Sequence, residues 1–234
     1  MSSNTDKPPT PPAIRLDVHD SRWNHRDFID IFKLFHAAFG ADSPIWRHMY
    51  PPPRPPVDEM ADVGAYQHML DVQNPQLLYV RAMADLGDGQ GERAVGVAIW
   101  GKPGYRYKPL IEGEMRDEEK HAYTGYNLTF RNAFRQTLQD HRDELMGDEP
   151  YWYLSVLAVH PDFQRFKIGG KLIDHGIDLA SRSQKYPVVL ESSPAGRRLY
   201  ESRGFVKECE FAMPQGYEGL SEMRFPLYRR PVKQ

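Results

Sequence analysis

The sequence predicts an α/β (α+β) fold, with strands and helices interleaved along the chain, on three observations. In residues 151–205 an apolar strand (151–159) meets Pro161, then a polar loop, then two glycines and a helix whose apolar positions Ile168, Leu172, Ile173, Ile177 and Ala180 share one face. Two further apolar segments, 77–84 and 93–100, flank the glycine-rich turn 86–91 and read as an antiparallel hairpin. Phe28, Ile31, Phe32, Phe35 and Phe39, and later Tyr123, Tyr126, Phe130, Phe134, Leu138 and Leu145, recur at helical spacing, with Gly40 and Gly147 as stops.

The remaining elements follow in order. Residues 1–12 are polar and proline-rich and are expected to form a flexible arm. Residues 13–18 alternate Ile14, Leu16 and Val18 with charged neighbours, which suits a half-buried first strand. A proline-dense connector at 51–56 precedes a helix over 57–70. A polar loop over 102–120 leads to the long helix ending at Gly147. Residues 186–190 read as a short strand. Ser193 and Pro194 supply an N-cap and a first helical position, with Gly204 as the stop, so 193–203 is expected to be a helix. Segments 205–211 and 221–228 read as paired strands, and the basic tail 229–234 is expected to be loose. The organisation expected is one domain over 13–228 between that arm and that tail.

Composition limits the function classes. With 40% apolar residues in 234, the chain can bury one sizeable core. The 30 basic and 32 acidic residues nearly cancel and form no long run, so neither nucleic acid nor a membrane surface is implied as a partner. A single cysteine, Cys209, excludes an internal disulfide and is read as a small buried apolar residue. No apolar stretch approaches the roughly 20 residues of a membrane span, and no signal peptide is visible at the N-terminus, so the expected setting is cytoplasmic. Nine histidines form neither H-E-x-x-H nor a Cys/His cluster, so no metal is expected.

The strand, loop and helix at 151–180 make an anion site. Backbone N–H groups at a helix start lack intrahelical partners, and glycine lets a phosphate approach closely. At these residues, L-x-V-x-P-x-x-Q-x-x-x-x-G from Leu157 and L-E-x-S-P-A-G-x-x-L-Y-x-x-x-G-F from Leu190, the sequence resembles the GNAT superfamily of acyl-CoA N-acyltransferases. The family's loop is Q/R-x-x-G-x-G/A. Gln164 and Gly169 match it, and Lys167 stands where its first glycine is expected.

The resemblance implies a central mixed, largely antiparallel sheet flanked by helices and splayed at the cofactor strand, with acetyl-CoA as co-substrate. By the family's standard the helical stretch at about 105–147 is an insertion, either a packing element or a wall of the acceptor pocket. The resemblance implies cofactor contacts from Leu157, Ala158, Val159, Gln164, Arg165, Phe166, Lys167, Ile168, Gly169, Gly170 and Lys171, with a strand N–H near Leu157 or Val159 polarising the thioester carbonyl. It also places Tyr200 beside the cofactor sulfur as general acid. Lys167 is expected either to take a left-handed backbone, at about 1–2 kcal/mol of strain, or to be helical and unstrained. Its side chain either crowds the phosphates or sets its ammonium against them.

Glu191, at the end of the strand, either receives the amine proton or holds the ammonium, unless it is simply an exposed strand-end carboxylate. Trp46, Tyr50, Trp100, Tyr105 and Tyr107 either line the acceptor pocket, with Trp46 and Tyr105 the first candidates, or are core aromatics. The leading expectation is acetyl transfer to a small-molecule amine by direct attack, without a covalent acyl-enzyme. The alternatives are a protein or peptide N-acetyltransferase, or a non-catalytic acyl-CoA sensor or interaction module. Monomer and homodimer are left open.

Overall fold

The computed structural model of the chain describes residues 12–40, 43–89, 91–183, 185–213, 216–220 and 222–232. The N-terminal arm, apart from Pro12, and the last two residues of the tail lie outside them. The strands are β1 (Ile14–Val18), β2 (Leu77–Asp85), β3 (Glu92–Gly101), β4 (Trp152–Val159), β5 (Val188–Glu191), β6 (Val206–Ala212) and β7 (Arg224–Arg230). They form one seven-stranded sheet in the order β1-β2-β3-β4-β5-β7-β6. Every neighbouring pair is antiparallel except β4 and β5, which run parallel.

Helices cover both faces. They are α1 (His25–Phe39), α2 (Pro44–Met49), α3 (Val57–Asp71), α4 (Asp117–Ala122), α5 (Leu128–Met146), α6 (Ile168–Arg182) and α7 (Arg197–Glu201). Residues 79–84 of β2 and 95–101 of β3 are buried without interruption, the pattern of strands covered on both sides. On one face, Ile168, Leu172, Ile173 and Ile177 of α6 pack with Val80, Ala98, Trp100, Leu154 and Leu190. The approach is close because Gly176 has no side chain: a Cβ there would overlap the Trp100 indole.

The other face is divided. Phe28, Ile31, Phe32 and Phe35 of α1, with Ala61 and Ala65 of α3, cover Tyr79, Val97, Ile99 and Ala158. Phe130, Leu138 and Met146 of α5 cover Tyr153, Val189 and Leu227 beyond them. The boundary between these two clusters falls at β4, the strand on which the site is built.

Polar contacts fix the first helix. Asn24 and Asp27 form a reciprocal capping box at the start of α1. Asp27 also pairs with Arg81 of β2, whose Nε lies 2.8 Å from Asp17 Oδ2 of β1. The Trp23 indole donates to the same carboxylate at 3.0 Å, and the Arg81 guanidinium lies 4.1 Å from the Trp23 ring centroid.

Several sequence expectations are corrected. Helix α2 was missed because its six residues are too short for a periodic signal; Ser43 caps it and Pro44 occupies its first turn. The long insertion helix begins at Leu128 rather than at Tyr123, since Gly125 has φ = 73° and Asn127 is the N-cap. Ser193 is not a helix cap. Its carbonyl accepts from Ser192 Oγ and from Gly196 N–H, a turn that postpones α7 to Arg197 and leaves it five residues long. Arg229 and Arg230 are not loose but pair with Val189 and Val188 in β7. Cys209, expected to be buried, is exposed on β6, and partial burial pushes its thiol pKa up, so it is not an activated nucleophile.

Replacing Gly176 by Val is expected to destabilise the protein by about 2 kcal/mol, the scale of core overpacking. Chemical denaturation monitored by tryptophan fluorescence measures this, and an unchanged midpoint would contradict the close α6–Trp100 packing.

Candidate active site

β4 begins as an interior strand and ends with a free edge. It pairs with β5 only at Trp152↔Val188, Tyr153↔Val189 and Leu154↔Leu190. On its other side it stays with β3 to Val159↔Gly96, but Leu154 and Val156 oppose the adjacent residues Trp100 and Ile99, which leaves Ser155 as the extra residue of a bulge. Beyond that bulge β4 has no partner on the β5 side.

The groups that face the gap follow from the ladder. His160 N–H donates to Val95 O at 3.0 Å. Antiparallel pairs alternate between bonded and non-bonded, so Ala158 and Val156 also bond toward β3. The N–H and C=O of Leu157 and Val159 therefore point into the gap. The Gln164 side chain confirms the direction, donating to Val159 O at 3.4 Å. Ala158 faces elsewhere: its backbone serves β3 and its side chain packs with the α1 cluster.

Past β4, Pro161–Phe163 form a single 3-10 turn, after which the chain reaches α6 through two left-handed residues, Arg165 (φ = 69°) and Lys167 (φ = 61°, ψ = 16°). Lys167 thus adopts the conformation a glycine would take without strain, at a cost of about 1–2 kcal/mol. The first helical bond recorded in α6 is from Lys171 N–H to Lys167 O, 3.1 Å. Among the described residues, the six backbone N–H groups from Arg165 to Gly170 have no recorded acceptor.

Unpaired amides at left-handed positions and at the first turn of a fifteen-residue helix make a concavity for an anion. Gln164, Arg165, Lys167 and Lys171 are exposed around it, Phe166 is half-buried, and Ile168 is buried as the anchor of the turn. Gly169 and Gly170 are needed for contact. A Cβ on Gly169 would lie 3.2 Å from Leu199 Cδ2, and one on Gly170 would overlap the guanidinium of Arg203, a residue of the turn after α7 that pairs with Asp174 of α6 at 2.8 Å.

Tyr200 lies in the core cluster on the α6 face, against Phe205 and Tyr228. A Cβ on Gly196 would come within 2.6 Å of Tyr200 Cε2, so that glycine admits the ring. Burial, and then the charge of Glu191, push the phenol pKa up, which keeps it protonated at neutral pH. Glu191 is not an exposed strand-end residue. Arg142 Nη1 of α5 lies 2.6 Å from its Oε1, and the Tyr153 hydroxyl donates to its Oε2 at 2.8 Å, with only 7% of the Glu191 side chain and 2% of the Arg142 side chain exposed. Arg142 also lies 3.7 Å from the Tyr153 ring centroid.

The acceptor candidates separate. Trp46 is buried with Phe32 and Tyr50 between α1 and α2, and Trp100 is fully buried under α6. Tyr105 stacks on Tyr153 and lies over Gly101. Sequence reading missed Tyr153, Ser155, Arg131, Arg135 and Arg142. A signal for the arginines was present: positions 131, 135 and 142 fall within about 40° of one another on a helix of 3.6 residues per turn, on the stripe that carries buried Leu138.

Residues 135–207, which run from α5 through α7 to the start of β6, match the family model described as an acetyltransferase (GNAT) domain. Solved structures share the fold over nearly the full length. An arylalkylamine N-acetyltransferase 2 from Aedes aegypti is 18% identical, with 94% of this chain and 99% of that one covered and a TM-score of 0.58. A Corynebacterium glutamicum protein described as histone acetyltransferase HPA2 and related acetyltransferase is 18% identical over 96% and 98%, TM-score 0.54. A chain of the NatC complex bound to Gag peptide and CoA, for which no organism is named, is 16% identical over 94% and 99%, TM-score 0.53. Residues 135–207 are thus similar to a GNAT acetyltransferase domain, and the sheet whose parallel β4–β5 pair splays after three residues is a fold the chain shares with solved acetyltransferases.

Lys167→Gly is expected to relieve the left-handed strain, offset in part by the larger unfolded-state entropy of glycine, for a net gain of up to about 1 kcal/mol. The same change is expected to weaken coenzyme A binding several-fold through loss of the ammonium, on the scale of one charge-assisted hydrogen bond. Thermal melts and calorimetry read the two effects separately; a loss of stability would show that the backbone at 167 is not left-handed in solution.

Proposed function

We propose that the protein is an acyltransferase that moves an acetyl group from acetyl-CoA to the amine of a small molecule by direct attack. The observation that carries this reading is a series of free backbone groups. The outward N–H and C=O of Leu157 and the N–H of Val159 are followed, past one turn, by six amides at 165–170 without acceptors among the described residues. Such a series fits a ligand with a peptide-like arm and a diphosphate, the arm adding to β4 as another strand would.

In this reading the pyrophosphate lies on the amides between Gln164 and Lys171, with Lys167 and Lys171 as charge partners. The Leu157 N–H is placed to polarise the thioester carbonyl, where a preorganised donor acts on developing charge. The amine nitrogen attacks the carbonyl carbon, the C–S bond breaks and the sulfur leaves with the electron pair.

Tyr200 supplies the proton to that sulfur, since its raised pKa keeps the phenol protonated and available. A thiol is ordinarily the stronger acid of the two. The phenol therefore acts first as a hydrogen-bond donor and transfers its proton as charge builds on a sulfur shielded from water. The proton of the attacking amine leaves to water. Glu191, with both oxygens already engaged by Arg142 and Tyr153, acts as a positioning residue that fixes these two side chains at the split and adds negative potential at Tyr200.

A thiol-release assay with acetyl-CoA across a panel of amines tests the reading. Wild type is expected to turn over at least one amine. Tyr200→Phe is expected to lose at least about tenfold in kcat, the lower end of general acid effects, with coenzyme A affinity little changed. An unaltered kcat removes Tyr200 from the mechanism, and absence of any heat with millimolar coenzyme A removes the reading itself.

A further inference from the structure

Arg131 and Arg135 stand one turn apart on the face of α5 turned toward β4, and neither forms an ion pair with any described carboxylate. Each makes a single recorded side-chain hydrogen bond, to a neutral hydroxyl. Arg131 Nη1 donates to the Tyr107 hydroxyl and Arg135 Nη1 donates to Ser155 Oγ, both at 2.8 Å. Arg131 is further held between two rings, 5.3 Å from the centroids of Tyr107 and Tyr123.

Both side chains are half-buried, and none of their nitrogens is both enclosed and unbonded. Four of the five N–H donors of each guanidinium are thus left to whatever enters from the cleft. Arg142 of the same stripe is different, since Glu191 neutralises it.

Two guanidinium groups this close repel one another, and their surroundings offer little compensation. The carboxylate whose charge acts on Arg135 is Asp71, which accepts from the Tyr79 hydroxyl at 3.2 Å and forms no ion pair with either arginine among the described residues. The region so formed has excess positive charge, planar donors and tyrosine walls. Charge in a partly desolvated place is stabilised by a counter-charge with matching geometry, and a planar guanidinium matches a carboxylate bidentately.

Position supplies the remaining argument. Arg135 is tied to Ser155, the bulge residue at which β4 leaves β5, and Leu157, whose N–H faces the gap, is two residues further on, about 7 Å along a strand. A small anion held by Arg135 thus sits within one short molecule's length of the reacting carbonyl. Arg131 lies on the far side of it from the bulge, beside Tyr123, which also lines a cleft of about 360 Å³ with Met115 and Leu128.

We propose that Arg131 and Arg135 form a carboxylate-binding subsite for the acceptor, so that the amine acylated belongs to a small molecule of the amino-acid type. The inference rests on the acyltransferase reading for its reaction and on the two unneutralised arginines for its substrate class.

The test uses the full chain and matched acceptor pairs that differ in the anion: L-phenylalanine against phenethylamine, and phosphoethanolamine against ethanolamine. In the thiol-release assay the carboxylated member of the first pair is expected to have at least a tenfold higher kcat/KM. That preference is expected to fall at least tenfold in Arg131→Gln and Arg135→Gln and to be partly restored in the corresponding Lys variants. Equal use of both members, or a loss in the variants that is the same for both, overturns the subsite, and a preference confined to the phosphorylated amine assigns it to phosphate and overturns the carboxylate reading.

Calorimetry with L-phenylalanine in the presence of coenzyme A keeps the two readings apart. Binding that is lost in both Gln variants, with no turnover of any amine, supports the subsite and fails the transferase reading. Turnover of uncharged amines without binding of the carboxylate does the reverse. Coenzyme A binding and circular dichroism of each variant report on folding, and the Lys variants stand in for any Gln variant that does not fold.

Discussion

The early separation of β4 from β5 is the constraint on which the rest of the structure depends. Three parallel pairs hold the strands together at Trp152, Tyr153 and Leu154, and the extra residue Ser155 then turns β4 away while it stays paired with β3. An unpaired strand edge within a sheet is a liability, because its N–H and C=O groups seek any backbone that can complete the ladder. Here the edge is enclosed by α6 on one face and by the meeting of the α1–α3 and α5 clusters on the other. Under the proposed function this enclosed edge is the slot for a ligand with amide groups of its own.

The split is held by charge as well as by packing. Glu191 ends β5 on the far side of the gap, and its carboxylate is joined to Arg142 of α5 and to Tyr153 of β4. One buried carboxylate thus ties the last residue of β5, the last paired part of β4 and the covering helix. Removing one partner of such a pair leaves an uncompensated buried charge, which makes the arrangement specific more than stabilising. The same helix, two and three turns earlier, presents Arg135 and Arg131 without an acidic partner in ion-pair range among the described residues. A single stripe of α5 is thus neutralised at one end and cationic at the other.

The loop before α6 divides its needs among residues in an unexpected way. The left-handed backbone is supplied by Arg165 and Lys167, whereas the glycines that follow serve close contact with Leu199 and Arg203. Under the proposed function, strain of about 1–2 kcal/mol at Lys167 is of the size that one charge-assisted hydrogen bond to a bound phosphate returns.

The sequence by itself determined the elements whose signals are local. Alternation located β1, apolar runs located β2, β3 and β4, the helical period located α1 and α6, and Gly40, Gly147 and Gly204 marked ends with φ of 76°, 53° and 79°. The turn into α6 was legible because Gly169, Gly170 and the apolar face that follows are consecutive. The six-residue helices α2 and α4 fell below the length at which a period can be recognised, and Ser193 looked like a cap because its neighbours in sequence hide the turn its carbonyl makes. Tertiary structure alone decided the edge of β4 that opens, the burial of Trp46, the engagement of Glu191 and the meeting of Arg131 with Tyr107 and of Arg135 with Ser155. Those facts depend on contacts between residues distant in sequence, such as Arg135 with Ser155 and Arg142 with Glu191. A chain's local patterns fix which face of an element is apolar, but the partner that meets a polar group on that face is chosen only when the elements pack.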